Sequence, residues 1–165
     1  MFALVCFIFT LLNLSVIYII YRHSKKKLDI ELTKISFKES LDLTGLPIAT
    51  FYNNNQKINL VLDTGCEKSL IDKTFAENLI LTMSDEQYEV NGIEGVTELC
   101  DLCSIDLSYK NNKFKGLFLL KDFCSASRLM NENRGVVIHG LIGNEFFEKY
   151  KYVLDFNDHT AYSKV

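Results

Sequence analysis

Residues 60–72 read LVLDTGCEKSLID. Three branched apolar residues, Leu60 to Leu62, are typical of a buried strand, and they lead directly into an acid, Asp63. The next two residues, Thr64 and Gly65, predict a tight turn, because glycine adopts backbone angles that larger residues cannot. Since an unpaired carboxylate is costly to bury, a strand that delivers an acid into such a turn makes Asp63 the first candidate for chemistry. The alternative is an aspartate in an ordinary turn.

The sequence from residue 43 to residue 165 predicts a mostly β fold of short strands with one or two short helices. Two β-rich runs around an asparagine cluster predict a hairpin, and the chain ends with a second one. Asp72 resembles a helix N-cap, and so does Asn144. The predicted strands lie at 46–52, 57–62, 69–71, about 88–123, 152–156 and 160–165, and residues 135–143 are predicted to form a buried strand with a glycine-bounded turn. We assign residues 22–42 to a basic juxtamembrane segment and linker, and residues 43–165 to the folded domain.

Residues 1–21, MFALVCFIFTLLNLSVIYIIY, contain no charged side chain. Roughly 20 apolar residues in a helix cover the hydrocarbon core of a bilayer, about 30 Å, so this segment predicts a transmembrane anchor. A cleaved signal peptide would have a basic start and a shorter apolar stretch. Here the basic residues, Arg22, His23 and Lys25–Lys27, follow the segment. Positive flanks stay cytoplasmic, which predicts a single-pass membrane protein with its domain on the cytoplasmic side.

Charge and cysteine content narrow the classes of function. Residues 28–165 hold all 21 Asp and Glu and 14 of the 18 Lys and Arg, a net charge of −7, which disfavours nucleic-acid binding. The five cysteines do not form a disulfide framework, and a reducing compartment is expected. Cys100 and Cys103 form a CxxC, but no second pair of ligands follows at zinc spacing, so we expect unpaired thiols in a strand and no metal.

The motifs together resemble the retropepsin family of single-domain aspartic proteases. In that family an apolar run precedes Asp-Thr-Gly, a short strand such as Ser69–Ile71 follows, and a glycine-containing hairpin flap comes next. Residues 90–96, VNGIEGV, resemble the flap, and residues 136–147, VVIHGLIGNEFF, resemble the apolar strand, glycine turn and helix that complete the family pattern. The resemblance covers roughly residues 43–160 and implies an acid-protease barrel.

The resemblance also implies a role for each matching position. Asp63 would be catalytic, within an active-site turn formed with Thr64, Gly65 and Cys66. The flap over the substrate would include Gly92, Ile93, Glu94 and Gly95. The loop supporting the active site would be Gly140, Leu141, Ile142 and Gly143. One departure stands out: position 66 is usually Ser or Ala in the family, and the Cys66 thiol is a weaker hydrogen-bond donor than a hydroxyl.

Aspartic protease chemistry needs two carboxyl groups that share a proton, and this chain has one Asp-Thr-Gly. We therefore expect a homodimer in which Asp63 of each copy activates a water molecule that attacks a protein or peptide substrate, with no cofactor. A membrane anchor would favour dimerisation by raising the local concentration. Two other functions remain open. The chain could be a catalytically inactive retropepsin-like module for dimerisation or peptide binding, or a membrane-tethered β-domain with a structural role.

Overall fold

The computed structural model describes residues 2–91 and 97–163. Its helices are α1 (Phe2–Thr33), α2 (Lys38–Thr44), α3 (Lys73–Ala76), α4 (Cys124–Arg134) and α5 (Asn144–Tyr150). Its strands are β1 (Ile35–Ser36), β2 (Ile48–Asn53), β3 (Gln56–Leu62), β4 (Ser69–Asp72), β5 (Leu81–Asn91), β6 (Thr97–Tyr109), β7 (Asn112–Lys121), β8 (Gly140–Ile142), β9 (Tyr152–Asp155) and β10 (Thr160–Ser163).

The larger sheet has seven strands in the order β2-β3-β8-β4-β7-β6-β5. A further pairing, Tyr52 with Ser108, joins β2 to β6, so the sheet curls back on itself instead of lying open. The short strand β8 lies at its centre, parallel to β3 and antiparallel to β4. This arrangement is consistent with the β fold of a protease, and the prediction of a mostly β chain is confirmed.

The two predicted hairpins are both present. Strands β2 and β3 pair in antiparallel register from Ile48↔Val61 to Asn53↔Gln56, and Asn54 in the turn has a φ of 53°. Asparagine tolerates this left-handed conformation better than most residues, which explains the asparagine cluster. The C-terminal strands β9 and β10 pair in the same antiparallel manner. Local turn chemistry therefore sets the register of both hairpins.

The core is built from the inward faces of the large sheet and from α5. Phe51, Ile58, Leu60 and Phe118 are fully buried, and Phe51 contacts Phe146 of α5 edge-on with ring centroids 6.3 Å apart. Alternate residues of β3 are buried, as expected for a strand with one face on a core. Because α5 packs on this core, its first turn is held against the loop that follows β3.

The segment predicted as a linker before residue 43 contributes structure instead. Ile35 and Phe37 are each 1% exposed and belong to the main core, and β1 pairs with β10 to form a three-stranded sheet with β9. Helix α1 extends through Arg22 and Lys27 to Thr33 as one continuous helix. Among the residues that the structure describes, no helix is both long and apolar enough to cross a bilayer.

The predicted number of short helices, one or two, was too small, since four follow α1 in the described residues. Helix α3, with Asp72 as its N-cap, was predicted, and the Asp72 carboxylate accepts a hydrogen bond of 2.8 Å from Phe75 N–H. Helices α2 and α4 were not predicted. Helix α2 has no buried residue and α4 is largely exposed, so neither carries the periodic apolar stripe by which a helix is recognised in sequence.

Close backbone packing at Gly140 makes a first prediction. A Cβ atom on Gly140 would lie 2.1 Å from the carbonyl oxygen of Leu70, which belongs to the neighbouring strand and cannot move alone. We expect Gly140→Ala to destabilise the fold by about 3 kcal/mol or more, measured by urea unfolding followed by tyrosine fluorescence.

Gly45→Ala is the matched control. Gly45 ends α2 with a φ of 76°, and an added Cβ would meet no atom within 4 Å. Its cost should be limited to backbone strain, about 1 kcal/mol. Equal unfolding midpoints for the two variants would contradict the close packing of β8 against β4.

Candidate active site

Asp63 lies directly beyond the last residue of β3. Its backbone N–H donates a hydrogen bond of 2.9 Å to the carbonyl of Ile142, which continues the parallel pairing of β3 with β8. Its carboxylate oxygen Oδ1 accepts a hydrogen bond of 2.8 Å from Gly65 N–H, and the side chain is half-buried. The turn therefore compensates part of the cost of desolvating the carboxylate and presents it at the end of the sheet.

Gly65 packs closely against the Asp63 carboxylate. A Cβ atom on this residue would lie 3.1 Å from Asp63 Oδ1, closer than ordinary van der Waals contact. A larger side chain would press against the Asp63 carboxylate oxygen that accepts the hydrogen bond from Gly65 N–H. The predicted turn of Thr64 and Gly65 is present, and both residues are exposed.

The segment from Gly140 to Gly143 lies beneath this turn, as the resemblance implied. Leu141 and Ile142 pair with Val61 and Leu62 of β3, and Ile142 is fully buried. A Cβ atom on Gly143 would lie 2.6 Å from the backbone carbonyl of Lys68, so the two segments cross at a distance that only glycine allows. Gly143 N–H also donates a hydrogen bond of 3.1 Å to the buried hydroxyl of Ser69.

The first turn of α5 holds the loop that follows Asp63. Asn144 N–H donates to the carbonyl of Cys66 at 2.8 Å, and Glu145 N–H donates to the carbonyl of Glu67 at 3.1 Å. The side-chain amide of Asn144 donates to the carbonyl of Thr64 at 2.8 Å. The residue expected to cap α5, Asn144, is its first helical residue, and Gly143 occupies the cap position. The amide of Asn144 stabilises the active-site loop instead.

Cys66 is half-buried next to Asp63. Burial raises the pKa of its thiol, and the nearby Asp63 carboxylate raises it further. The backbone N–H of Lys68 donates to the sulfur and opposes this shift. The side chain at this position is therefore a neutral thiol at neutral pH.

Charged side chains brace the same loop from the outside. Lys68 Nζ lies 2.9 Å from Glu145 Oε2, and it also lies 5.2 Å from the ring centre of Tyr88 on β5. The Tyr88 hydroxyl donates a hydrogen bond of 3.2 Å to Glu67. Sequence reasoning missed this cluster, because its members are adjacent only in the fold.

The predicted flap residues, Gly92, Ile93, Glu94 and Gly95, lie outside the described residues. The strands that lead to them are described. Asn91 pairs with Thr97, and Val90 pairs with Glu98, in the antiparallel ladder of β5 and β6. The described ends of β5 and β6 on either side of the predicted flap are therefore paired with each other.

The comparison with known families agrees with this geometry. The model of a family described as aspartyl protease matches residues 49–146, more than half of the chain, including Asp63 and the Gly140–Gly143 segment. The chain belongs to the aspartyl protease family. This family lies in the retropepsin-like clan, so the predicted resemblance is confirmed. No curated protein matches the chain.

Three other aspartates of this aspartyl protease have local structural roles. Asp72 caps α3 and also accepts a hydrogen bond of 2.9 Å from Phe123 N–H. Asp101 accepts from the amide of Gln87, and Asp155 accepts from two backbone N–H groups in the turn after β9. None of these three lies in a turn of the Asp-Thr-Gly type.

Cys100 and Cys103 are unpaired and buried in β6, as predicted. They lie three positions apart, so they face opposite sides of the strand. Cys100 packs with Leu70 and Leu119, and Cys103 packs in the main core, where burial raises its pKa to about 11. While β6 is intact, the two thiols cannot bind one ion together.

His139, isolated in the sequence, is part of the support of β8. Its ring stacks on Phe75 with centroids 3.8 Å apart, and its Nδ1 accepts a hydrogen bond of 2.9 Å from Asn59 N–H. Burial lowers its pKa, and the Asp72 carboxylate opposes the shift. The neutral ring is therefore favoured, as its acceptor role at Nδ1 requires.

The neighbouring charge of Asp63 should be measurable at Cys66. Because the thiol pKa is raised above its ordinary value of 9.0, alkylation of Cys66 should be slow at pH 7 to 8 and should accelerate only as the pH rises beyond that value. Asp63→Asn removes the carboxylate charge, which should lower the thiol pKa and increase the alkylation rate at pH 8. Mass spectrometry of the peptide that contains Cys66 measures the rate.

Asp85→Asn is the control, since it removes an equal charge from an exposed position of β5. Cys103, buried in the core, reports any loosening of the fold in the same samples. If Asp63→Asn and Asp85→Asn gave the same Cys66 rate as the wild type, the Asp63 carboxylate would not act on the thiol.

Proposed function

We propose that this protein is an aspartic endopeptidase whose active site consists of two Asp63 carboxyl groups, one from each subunit of a homodimer. One observation carries the proposal: the turn at Asp63 presents a half-buried carboxylate at the end of the sheet, on a loop fixed by Gly65, Asn144 and Gly143. The chain contains one such turn, so the second carboxyl group comes from another copy.

The chemistry follows from two acids that share one proton. Two carboxylates in close proximity cannot both ionise readily, so in the catalytically competent form the two groups share one proton. The ionised carboxylate accepts a proton from water as the water oxygen attacks the scissile carbonyl carbon. The protonated carboxyl group donates to the carbonyl oxygen. Collapse of the tetrahedral intermediate transfers a proton to the leaving amine and breaks the C–N bond, with no covalent enzyme intermediate.

The substrate is an extended peptide in this proposal. Strands β5 and β6 are held beside the Asp63 loop through Tyr88 and Glu67, and the flap that the resemblance implies between them would cover a peptide and add strand-like hydrogen bonds. Water would be excluded from the reacting carbonyl, and the charge on the acid pair would act more strongly there.

Cys66 favours a second candidate function. The neutral thiol of Cys66 is a weak hydrogen-bond donor at a position where the family usually has Ser or Ala. Because its pKa is raised, the thiol does not ionise at neutral pH and cannot act there as a thiolate. A dimerisation or peptide-binding module without catalysis would retain the fold and tolerate this change. The activity of the wild type decides between the two.

Asp63→Asn is the direct test. The wild type should cleave members of a diverse peptide library at one or more pH values between 4 and 8, and it should be inhibited by pepstatin-like mimics of the transition state. The variant should lose about 100- to 10,000-fold of the turnover, because the amide can neither accept the proton from water nor share a proton. Asp85→Asn should retain full activity.

Mixed subunits test the shared active site. When wild-type and Asp63→Asn chains exchange freely in equal amounts, only dimers with two wild-type chains have both carboxyl groups. Activity per total protein should fall to about one quarter of the wild-type value. A fall to about one half would show that single copies work, and it would overturn the homodimeric site. An inactive wild type with intact peptide binding would favour the module.

We further propose that α1 anchors the protease in a membrane, with the domain on the cytoplasmic side. The described part of α1 is not by itself long and apolar enough to cross a bilayer, so the support is the uncharged sequence of residues 1–21, together with the large apolar side chains of residues 12–21, which are each more than half exposed. A helix that is apolar on all sides needs an apolar environment. Two copies in one membrane would also meet more often than in bulk solution.

Flotation tests the anchor. The full chain should float with neutral phosphatidylcholine vesicles and resist extraction at high pH. A full chain that carries Ile17→Lys and Ile20→Lys should be released, because each charge within the bilayer costs about 3 kcal/mol. Lys110→Gln changes a charge on the exposed β6–β7 turn and should leave flotation with neutral vesicles intact. Release of the wild-type chain would reject the anchor.

A further inference from the structure

Five exposed lysines form a basic face on one side of the domain. They lie at the turn between β6 and β7, on β7, and at the end of α5. They are Lys110, Lys113, Lys115, Lys149 and Lys151. These five residues make up more than a third of the 14 Lys and Arg in residues 28–165. That segment has a net charge of −7, so the basic face differs in sign from the segment as a whole.

Direct contacts join the end of α5 to strand β7 within the basic face. Lys149 Nζ donates a hydrogen bond of 2.7 Å to the carbonyl of Lys115, and the Tyr150 hydroxyl accepts one of 2.7 Å from Lys115 N–H. A cavity of about 300 Å³ is lined by Lys113 and Lys149 together with Thr33. The end of α5 and strand β7 therefore present their cations to the same region of solvent.

Few acidic side chains lie near the lysines of the basic face. Within the part of the chain that the structure describes, Lys34–Glu31, Lys68–Glu145 and Lys121–Glu98 form ion pairs, and none of the five lysines belongs to these pairs. Asp106 lines a neighbouring cavity with Lys113 and Lys115, and Glu148 is exposed next to Lys149 on α5. The face thus retains a net positive charge that an anionic surface can balance.

The basic face surrounds the point where α1 joins the domain. The Asn112 amide donates a hydrogen bond of 2.7 Å to the carbonyl of Leu32, and the Tyr152 hydroxyl donates one of 2.9 Å to the carbonyl of Thr33. Ser163 N–H donates to the Thr33 hydroxyl at 3.1 Å. Since α1 is continuous, six residues from Lys27 to Thr33 separate the basic end of the predicted anchor from these contacts, a rise of about 9 Å.

The basic face lies away from Asp63. Helix α5 begins at Asn144, beside the active-site loop, and ends at Tyr150, beside Lys115, about 10 Å further along. Strand β3 ends at Asp63 and begins near the turn at Asn54, which lines the cavity with Lys113, about 20 Å away. The basic face and the Asp63 loop therefore lie at different ends of α5 and of β3.

We propose that the basic face binds anionic lipid headgroups of the membrane that α1 enters, and that this contact holds the domain against the membrane with Asp63 facing away from it. The inference rests on the membrane anchor in the proposed function, in which the contacts of Thr33 with the domain lie about 9 Å, or about one Debye length, from the basic end of the anchor. Each lysine near such a surface strengthens binding about fivefold.

The test uses the full chain with vesicles of phosphatidylcholine alone or with about one-quarter phosphatidylserine. The rate of lysine acetylation, measured by mass spectrometry, reports which lysines contact lipid. We expect Lys110, Lys113, Lys149 and Lys151 to react several-fold more slowly when phosphatidylserine is present, and we expect about 1 M salt to remove the effect. Internal controls are Lys73 and Lys121, which lie at the other end of β7, about 30 Å from Asn112.

Two variants with the same change in charge complete the experiment. Lys113→Gln/Lys149→Gln should weaken the protection of Lys110 and Lys151 by phosphatidylserine, and Lys73→Gln/Lys121→Gln should leave it unchanged. Equal labelling with both kinds of vesicle, equal slowing of Lys73 and Lys121, or protection by an acidic peptide but not by phosphatidylserine would overturn the proposal.

The two membrane proposals fail in different ways. A chain that does not float with neutral vesicles lacks the anchor. If that chain still floats with phosphatidylserine vesicles, and does so less when Lys113 and Lys149 are replaced, the basic face is supported without the anchor. Peptide cleavage is not part of either measurement.

Discussion

The active-site end of the molecule depends on the crossing of two backbones at Gly140 and Gly143. Strand β8 lies between β3 and β4, and side chains at these two positions would overlap the backbone of Leu70 and of Lys68. Because no side chain intervenes, β8 and Gly143 lie close to β4 and Lys68, while on the other side of β8 the carbonyl of Ile142 accepts the hydrogen bond of Asp63 N–H. The position of the catalytic candidate is thus fixed by main-chain contacts, which are less adaptable than side-chain packing.

A second set of main-chain contacts completes the constraint. The first N–H groups of a helix and the carbonyls of an irregular loop both need partners outside their own segment. Here they satisfy each other, since Asn144 and Glu145 donate to Cys66 and Glu67. The loop after Asp63 therefore cannot shift unless the start of α5 shifts with it, and α5 is held by Phe146 and Phe147 in the core. The packing of α5 in the core therefore restricts the position of the Asp63 carboxylate.

The sequence predicted what is encoded locally. The β2–β3 hairpin carries its own turn residues, α3 carries its cap at Asp72, and the turn at Asp63 is recognised by three adjacent residues together with the later glycine segment. Helices α2 and α4 escaped prediction because they bury almost no apolar surface, and Phe37 in the expected linker is buried through a pairing of β1 with a strand at the other end of the chain. The contact of Asn144 with Thr64 spans 80 positions, so no local pattern records it.

Symmetry links the proposed dimer to the proposed anchor. Two copies that enter one membrane in the same direction can be related only by a two-fold axis perpendicular to the membrane plane. A shared acid pair must lie at that axis, because each subunit contributes the same residue. Asp63 lies at the end of α5 and of β3 that is remote from the junction with α1, so the pair would face away from the lipid. An extended peptide bound there would cross the axis and run parallel to the membrane surface. The protease would then act on segments held at roughly the height of one domain above the bilayer, and a substrate would reach it without passing between the domain and the lipid.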